Sequence, residues 1–327
     1  MQRKSVSYSK YGYIFSLPFV AAFAVFAAWP LIYTVIIGFT DLRGIGKVAF
    51  HFLANPFDNF KTIIENPSFQ KSLYTTALIW IMNFIPQIVL GFLLAAWFTN
   101  RRLNVKGQGA YKILIYMPNI ITAASIAILF NVLFGYPMGP VNDILQSLGL
   151  TSGPENFTLM KWNARSVVAF IQFWMWYGNT MIVLIAGILG INPSLFESAE
   201  IDGASSVQTF FRITLPSVRT ILLFTLVTSL IGGMQMFDIP KLYLLGGPDQ
   251  ATQTAAVFIY NQAFSGSYLY NRAAAASMIL FIIIAILSSI VFYILRDKDA
   301  IRLNKQRKAL IKNAKLRARL AEEGASI

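Results

Sequence analysis

The chain has 327 residues, 56% of them hydrophobic, and a mean hydropathy of +0.58. This composition is too apolar for an ordinary soluble domain and is typical of a polytopic membrane protein. The absence of cysteine excludes disulfides, iron–sulfur clusters and thiolate zinc sites, and the single histidine, His51, cannot by itself form a metal cluster or a catalytic triad. The formal charge of +13 is distributed as membrane topology requires and does not indicate nucleic acid binding.

Six charge-free runs predict transmembrane helices, so the expected fold class is all-α with six spans. Each run contains or approaches the roughly 20 residues that a helix needs to cross the hydrocarbon core. The runs are 13–40, 72–100, 113–142, 166–196, 220–237 and 273–295. The first run is too long for a cleavable signal peptide and has no small-residue cleavage pattern before it. We therefore predict an N-terminal segment over 1–12, a membrane domain over 13–295 and a basic tail over 296–327.

The distribution of lysine and arginine predicts the orientation in the cell membrane. Cytoplasmic segments of membrane proteins carry an excess of these residues. Of the 27 basic residues, 19 lie in 1–12, 101–112, 197–219 and 296–327, and 8 lie in 41–71, 143–165 and 238–272. Both termini are therefore expected in the cytoplasm. The basic tail is expected to be a solvated helix beside the membrane, with attraction to anionic membrane lipid as the functional alternative.

Two outer segments contain turn residues and short predicted helices. The segment 41–71 carries Gly44, Gly46 and two Asn-Pro pairs, which indicates a loop with short helices. The segment that follows the third span contains a predicted short helix from Val141 to Leu148. Both are expected on the extracytoplasmic side.

Uncharged polar side chains inside the spans are the candidate contacts for a solute. An amide in hydrocarbon needs a partner or water, and amides beside Trp and Tyr suit the hydroxyls and apolar faces of a sugar. The candidates are Asn83, Gln87, Asn119, Gln172, Trp176, Asn179 and Gln235. Each could instead form a helix–helix hydrogen bond, so we expect two or three to line a pathway. Asp238, at the end of the fifth span, has three possible roles: loop cap, partner of Lys241, or pathway residue.

The polar stretch between the fourth and fifth spans predicts a small folded element. Ser194 and Glu197 have the spacing of a capping box, and Gly203 suits the left-handed conformation that ends a helix. A second short helix is expected to begin at Ser205 or Ser206. The stretch is thus predicted to be two short helices that meet at a glycine on the cytoplasmic surface. An ordinary capped surface loop is the alternative, because capping signals are common.

The spacing in this stretch resembles the EAA loop of ABC-importer permeases, which reads E-A-A, three residues, G, nine residues and I-x-L-P. The matching residues are Glu197, Ala199, Gly203, Ile213, Leu215 and Pro216, with Ser198 in place of the middle alanine. The resemblance implies that a coupling loop over 194–218 docks into a cleft on a separate ATPase subunit. Asp202 would add an acidic charge that faces basic residues of that subunit.

Two further matches extend the resemblance over most of the chain. Pro18 and the pair Pro30-Leu31, followed by Gly38-Phe39-Thr40, are similar to the first helix of sugar-type permeases. The run that begins at Phe237-Asp238 and continues through Leu244-Leu245-Gly246-Gly247-Pro248 to Thr252 resembles carbohydrate importer permeases.

The resemblance implies a permease subunit that forms half of the pathway for a carbohydrate. The implied partners are a second homologous permease, a cytoplasmic ATPase dimer and an extracytoplasmic solute-binding protein. ATP would be hydrolysed by the ATPase chain, since no phosphate loop, metal-ligand spacing or partnered nucleophile is found in this sequence. The chain is therefore expected to be no enzyme, to need no cofactor and to bind no nucleic acid.

Three alternatives differ in cargo or in mechanism. Glycerol phosphate or another polyol-like solute is the first, but a phosphate favours Arg or Lys in the pathway. None lies inside a predicted span, which favours a neutral sugar. An ion-coupled secondary transporter needs ionisable residues within its spans. An intramembrane enzyme is disfavoured by the single histidine and the lack of paired acids in the spans.

Overall fold

The structure, a computed structural model, describes residues 9–47, 49–100, 103, 106–266, 268–295, 306–311 and 313. Within these residues the chain is helical, with one isolated antiparallel bridge between Thr40 and Phe52 and no strand. This confirms the predicted all-α fold class. The predicted N-terminal segment and basic tail fall largely outside the described residues, at 1–8, 296–305, 312 and 314–327.

Fifteen α-helices follow one another between Ser9 and Leu295, and residues 306–311 are helical as well. They are α1 Ser9–Phe23, α2 Trp29–Ile37, α3 Asp58–Ile64, α4 Pro67–Thr99, α5 Gln108–Tyr116, α6 Ala123–Leu133, α7 Pro140–Ser147, α8 Lys161–Leu189, α9 Pro193–Ile201, α10 Ser206–Thr209, α11 Leu215–Ser217, α12 Arg219–Met234, α13 Asp238–Leu244, α14 Ala255–Phe264 and α15 Tyr270–Leu295. Two π-helical turns, Ala24–Ala28 and Phe210–Thr214, and one 3₁₀ turn, Met117–Ile120, complete the set. The short helix predicted from Val141 to Leu148 is confirmed as α7.

Five helical segments in the described chain are long and apolar enough to cross a membrane. They are Lys10–Ile37, Pro67–Thr99, Lys161–Leu189, Arg219–Leu244 and Tyr270–Leu295. The pair Gln108–Ile120 and Ala123–Leu133 forms a sixth candidate, but it is bent by 95°. The polytopic character is thus confirmed, with six spans if the bent pair counts as one.

The bent pair, which is the third candidate span in chain order, owes its bend to a local cause. Pro118 lies in the 3₁₀ turn between α5 and α6, where a proline lacks the N–H that would continue the helix. Thr122 then caps α6, because its side-chain oxygen accepts a hydrogen bond from the Ser125 N–H at 3.3 Å. The single span predicted within 113–142 is therefore built from two helices and a turn.

The first candidate span contains a π-helical turn that Pro30 explains. The Trp29 N–H donates to the Ala24 carbonyl, five residues earlier, as a π-helix requires. Pro30 follows at the start of α2 and has no N–H to restore the α-helical pattern. In the most apolar part of Lys10–Ile37, no residue is buried inside this chain.

The chain divides into two compact units, and the division falls inside α4, α8, α12 and α15. The first unit comprises Met1–Asn83, Ile121–Gln172 and Gly232–Ala285, and the second comprises Phe84–Ile120, Phe173–Ile231 and Ile286–Ile327. The core of the first unit is built on Phe69 and Phe258, whose ring centroids are 5.3 Å apart. The core of the second includes the fully buried Ala95, Met181 and Leu184.

Glycines allow close helix packing in the second unit, as small residues do in membrane proteins. A Cβ added at Gly91 would lie 2.9 Å from the Thr180 side chain, and one added at Gly187 would lie 2.7 Å from Ile221. A Cβ at Gly178 would overlap the Ile115 carbonyl. These contacts hold α4, α5 and α12 directly against α8.

Candidate functional site

We call residues 193–217, which run from α9 to α11, the coupling element. Its first helix begins earlier than predicted, because Asn192 caps it by accepting the Ser194 N–H at 3.1 Å. The predicted capping box of Ser194 and Glu197 is therefore wrong. Asparagine is a favoured cap and Pro193 is favoured in the first turn, so this pair provides the start instead.

The second helix of the coupling element begins as predicted, at Ser206. Ser205 and Gln208 form a capping box in which each side chain accepts the backbone N–H of the other. The two distances are 3.2 Å for Gln208 N to Ser205 Oγ and 2.8 Å for Ser205 N to Gln208 Oε1. Two otherwise unpaired N–H groups are satisfied within the element itself. A π-helical turn, Phe210–Thr214, then leads into α11.

Gly203 ends the first helix in the left-handed conformation, as predicted, with a φ of +70°. The Ala204 N–H donates to the Ala199 carbonyl and the Gly203 N–H donates to the Glu200 carbonyl, which together form a Schellman motif. A side chain added at Gly203 would meet no atom of this chain within 4 Å. The glycine is thus required by the turn and faces open space.

The seven residues of the predicted coupling loop divide between an inner and an outer face. Ala199 is buried, and Ile213 and Leu215 are half-buried. Glu197, Asp202, Gly203 and Pro216 are exposed. The acids therefore lie on the surface, while Ala199, Ile213 and Leu215 lie on the side that anchors the element to the second unit.

Aromatic residues that the sequence did not single out provide much of this anchor. The ring of Phe210 lies 4.9 Å from the ring of Phe92 on α4. A cavity of about 490 Å³ lies beside the Phe210 ring. Its lining includes Trp97, Leu189, Phe196, Glu200, Val207 and Phe210. It is mostly apolar and belongs wholly to the second unit.

Three of the predicted pathway amides make hydrogen bonds inside the protein. Asn83 Nδ2 donates to the Ile79 carbonyl of its own helix at 2.9 Å. Gln87 Nε2 donates to Thr180 Oγ1 at 2.7 Å and so joins α4 to α8. Asn119 Nδ2 donates to the Met175 carbonyl at 3.3 Å. Gln87 and Asn119 therefore join two helical segments by hydrogen bonds, which is the alternative role expected for each amide.

The other predicted pathway residues differ in exposure. Gln172 is 9% exposed, and its amide has no hydrogen-bonding partner among the described residues. Trp176 is 44% exposed and Asn179 is half-buried. Gln235 is exposed in the turn between α12 and α13. Trp176 and Asn179 lie on α8 in the second unit, whereas Gln172 and Gln235 belong to the first.

Asp238 is exposed at the first position of α13, and two of its three expected roles are absent. The cap of α13, Phe237, has no side-chain hydrogen bond, and no loop hydrogen bond of Asp238 is found within the described chain. Lys241 donates to Asn261 Oδ1 at 2.8 Å instead of pairing with Asp238. Its ammonium also lies 4.6 Å from the centroid of the Tyr260 ring.

A loop of the first unit, residues 245–254, is held by basic residues on two helices. Lys161, at the start of α8, and Lys71, on α4, both form ion pairs with Asp249, the second at 3.5 Å. The hydrogen bond and charge of Lys161, with the charge of Lys71, hold the pKa of Asp249 below its usual range. Arg165 Nε donates to the Ala251 carbonyl at 2.8 Å. No sequence motif marks these contacts, because they join residues about 80 to 180 positions apart.

Comparison with known proteins identifies the family. Residues 66–298 match the family described as binding-protein-dependent transport system inner membrane component. The chain belongs to this family. It is therefore a multi-pass membrane subunit of a transport system and not an enzyme, as the sequence predicts. EAA loops and coupling helices are typical of the family. In the described residues, no group of three His, Asp or Glu side chains could hold a metal ion.

Several permeases resemble this family member over most of their length. The lactose transport system permease protein LacF of Rhizobium radiobacter is 28% identical, covering 89% of this chain and 96% of the relative. The arabinooligosaccharides transport system permease protein AraP of Bacillus subtilis is 30% identical, covering 85% and 86%. A bacterial alginate ABC transporter, solved in complex with an alginate pentasaccharide-bound periplasmic protein, matches with a TM-score of 0.74 at 25% identity. That match covers 87% of this chain and 93% of the matched one.

Proposed function

We propose that this chain is one of two permease subunits of an ATP-driven importer and forms half of the pathway for a carbohydrate. Relatives named for lactose, arabinooligosaccharides and multiple sugars support the cargo class. The family description supports a solute-binding protein as the donor of the cargo. The other proposed partners are a second homologous permease, a cytoplasmic ATPase dimer and the surrounding membrane lipid.

The geometry of the coupling element carries the proposal for ATPase docking. The element is held in one shape by the Asn192 cap that precedes it and by its own Schellman motif and capping box. Its buried side is fixed to the second unit through Ala199 and Phe210, and its exposed side presents Glu197 and Asp202. A basic surface of the ATPase can bind this rigid, acidic surface. Movement of the element is then transmitted directly to α8 and α12, because these helices adjoin its two ends.

The proposed mechanism is alternating access between two discrete packings. ATP binding draws the ATPase subunits together, and the coupling element moves with them. The spans that it joins then change from inward-open to outward-open, and hydrolysis resets the gate. The proposed pathway residues are Gln172, Trp176, Asn179, Gln235 and Asp238, with Asn83, Gln87 and Asn119 in supporting positions.

The nature of the cargo is less restricted than the predicted span boundaries imply. The neutral sugar is favoured only if no lysine or arginine lies in a span. The fifth candidate span extends to Leu244 and contains Lys241, so this premise does not hold. Relatives include a permease named for sulfoquinovosyl glycerol, and the structural neighbour imports the acidic polysaccharide alginate. We therefore propose a carbohydrate without assuming that it is neutral.

Uptake by reconstituted vesicles tests the proposed function. The chain is assembled with its partner permease, ATPase and binding protein, and the entry of a panel of labelled oligosaccharides is measured. We expect accumulation that requires both ATP and the binding protein. Solute movement by the purified chain with no ATPase present would contradict an ATP-driven importer.

A further inference from the structure

A lysine on α13 lies among aromatic and amide side chains of α14. Lys241 Nζ donates to Asn261 Oδ1 at 2.8 Å and lies 4.6 Å from the Tyr260 ring centroid. Asn261 also accepts from Ser265 Oγ at 3.1 Å, and its Nδ2 faces Gln253 Oε1 at 3.5 Å. All of these residues belong to the first unit. The lysine is therefore held in place by neutral groups.

The charge of Lys241 has no counter-ion in the described part of the chain. No described carboxylate lies within 4.0 Å of its ammonium, and Asp238, one turn earlier on α13, is not paired with it. An ammonium has three N–H donors, and Asn261 accepts one of them. Two donors and a full positive charge thus remain for a ligand.

The position of Lys241 restricts what that ligand can be. The residue lies in the candidate span Arg219–Leu244, where an unpaired charge is costly beside acyl chains. Such a charge faces water, a polar pathway or a charged partner. Lys241 is half-buried and Tyr260 is 37% exposed, so both can be reached from outside this chain.

The aromatic side chains beside the lysine form a continuous row. The Tyr260 ring centroid is 5.1 Å from that of Phe237 and 5.2 Å from that of Phe264. Phe264 is 56% exposed. Aromatic surface with a few placed polar groups is the usual composition of a site for a small ligand. The apolar faces of sugar rings suit this row.

We propose that Lys241 recognises an acidic group, a carboxylate or sulfonate, on the carbohydrate that this chain transports. Tyr260 and Asn261 hold the ammonium in place, and the aromatic row receives the sugar ring. A hydrogen bond between an ammonium and an acid group is about twice as strong as one between neutral groups. Asp238 is the nearest acid on the same helix and weakens this attraction. The proposal rests on the proposed function, since it names the class of sugar.

The test compares two labelled probes that differ in charge alone. One is a trisaccharide that carries a single uronate, and the other is its neutral counterpart. Uptake is measured in vesicles that contain the full transporter with its binding protein. In Lys241→Met we expect the KM for the acidic probe to rise about tenfold or more, since a charge-assisted hydrogen bond is lost. The KM for the neutral probe should stay the same.

Three further variants separate recognition from folding. Lys241→Arg keeps the charge and should retain most of the affinity for the acidic probe. Asp238→Asn removes a like charge and should lower the KM for that probe. Lys61→Met, on the exposed surface of α3, is the matched control and should leave both KM values unchanged.

The outcomes distinguish this proposal from the function on which it rests. If the wild type transports the neutral probe alone, or if Lys241→Met changes the KM of both probes equally, the acidic site is wrong and the carbohydrate importer stands. If neither probe enters while glycerol 3-phosphate does, the carbohydrate cargo is wrong as well.

Discussion

Gly203 combines two properties that separate a docking role from a folding role. Its left-handed backbone conformation is required by the helix end, and the space beyond its Cα is open. Asparagine tolerates this conformation better than other residues with a side chain. A substitution by asparagine therefore adds volume to the surface with little strain inside the chain.

We predict that Gly203→Asn leaves membrane insertion intact and abolishes ATP-driven uptake, because the added side chain occupies the surface that meets the ATPase. Gly203→Asp should do the same. Insertion is measured by the amount of purified complex, and uptake by labelled sugar in vesicles. Gly149→Asn is the matched control, since Gly149 has a φ of +69° and open space around it. Normal uptake by Gly203→Asp would show that the docking role is wrong.

Gln87 illustrates how an amide in a span can serve structure. The residue is 6% exposed, and its side-chain amide donates to Thr180 Oγ1 at 2.7 Å. A buried amide that has a partner contributes to helix packing, and hydrogen bonds between membrane helices contribute about 0.6 kcal/mol on average and up to about 1.7 kcal/mol.

We predict that Gln87→Leu and Thr180→Val each destabilise the protein, with a coupling energy of about 0.5–1.7 kcal/mol between them. A double-mutant cycle of unfolding in mixed detergent micelles measures this energy. The KM for sugar should not change in Gln87→Leu. A raised KM with unchanged stability would instead make Gln87 a cargo ligand.

At the scale of elements, the loop 245–254 depends on ion pairs as well as on hydrogen bonds. Asp249 has a left-handed backbone conformation, with a φ of +43°, and is paired with Lys161 and Lys71. Because its pKa is lowered in the folded state, the ion pairs stabilise the loop above the unfolded pKa, at neutral pH. This contribution is lost as the pH falls through the lower, folded pKa.

We predict that Asp249→Asn increases hydrogen exchange of the Ala251 and Thr252 amides at pH 7, by less than about tenfold, since exposed ion pairs are weak. The difference from the wild type should disappear at a pH below the folded pKa, after correction for intrinsic exchange. Glu65→Asn, which removes the exposed pair with Lys61 on α3, should leave these two amides unchanged. Equal effects of Asp249→Asn at both pH values would show that the charge is not the cause.

The elements that are predictable from sequence are those with local causes. The spans follow from hydrophobic length, the start of α10 from the serines at 205 and 206, and the turn at Gly203 from the conformational freedom of glycine. α9 begins earlier than the Ser194–Glu197 spacing predicts, because Asn192 caps it and Pro193 is favoured in the first turn. The 95° bend after α5 was not predicted, although Pro118 and Thr122 are its visible signals.

Contacts between distant residues could not be predicted from the sequence. The Asp249 ion pairs, the Gln87–Thr180 bond and the Lys241 site each depend on which helices become neighbours. The hydrophobic length of a run gives no information on which helices become its neighbours. The family resemblance predicts the coupling element. The sequence identifies the amides in the spans as a set, but not which of them join helices and which contact a solute.

At the scale of the whole molecule, the proposed function requires the coupling element on the cytoplasmic side. Nineteen of the 27 basic residues lie in the segments assigned to that side, which is a statistical argument about orientation. The sequence offers a direct test, because it contains no cysteine that would have to be removed first.

We predict that Ser198→Cys, in the coupling element, reacts with a membrane-impermeant maleimide only in inside-out vesicles. Ser147→Cys, at the end of α7, should react only in intact cells from which any outer wall or membrane has been removed. Both serines are exposed, so each substitution changes one surface atom and should leave the fold unchanged. The reactivity is measured by the mass added to the chain, and denatured samples of both variants confirm that each cysteine can react. Labelling of Ser198→Cys from outside would place the coupling element beyond the reach of a cytoplasmic ATPase, and the proposed importer could not work.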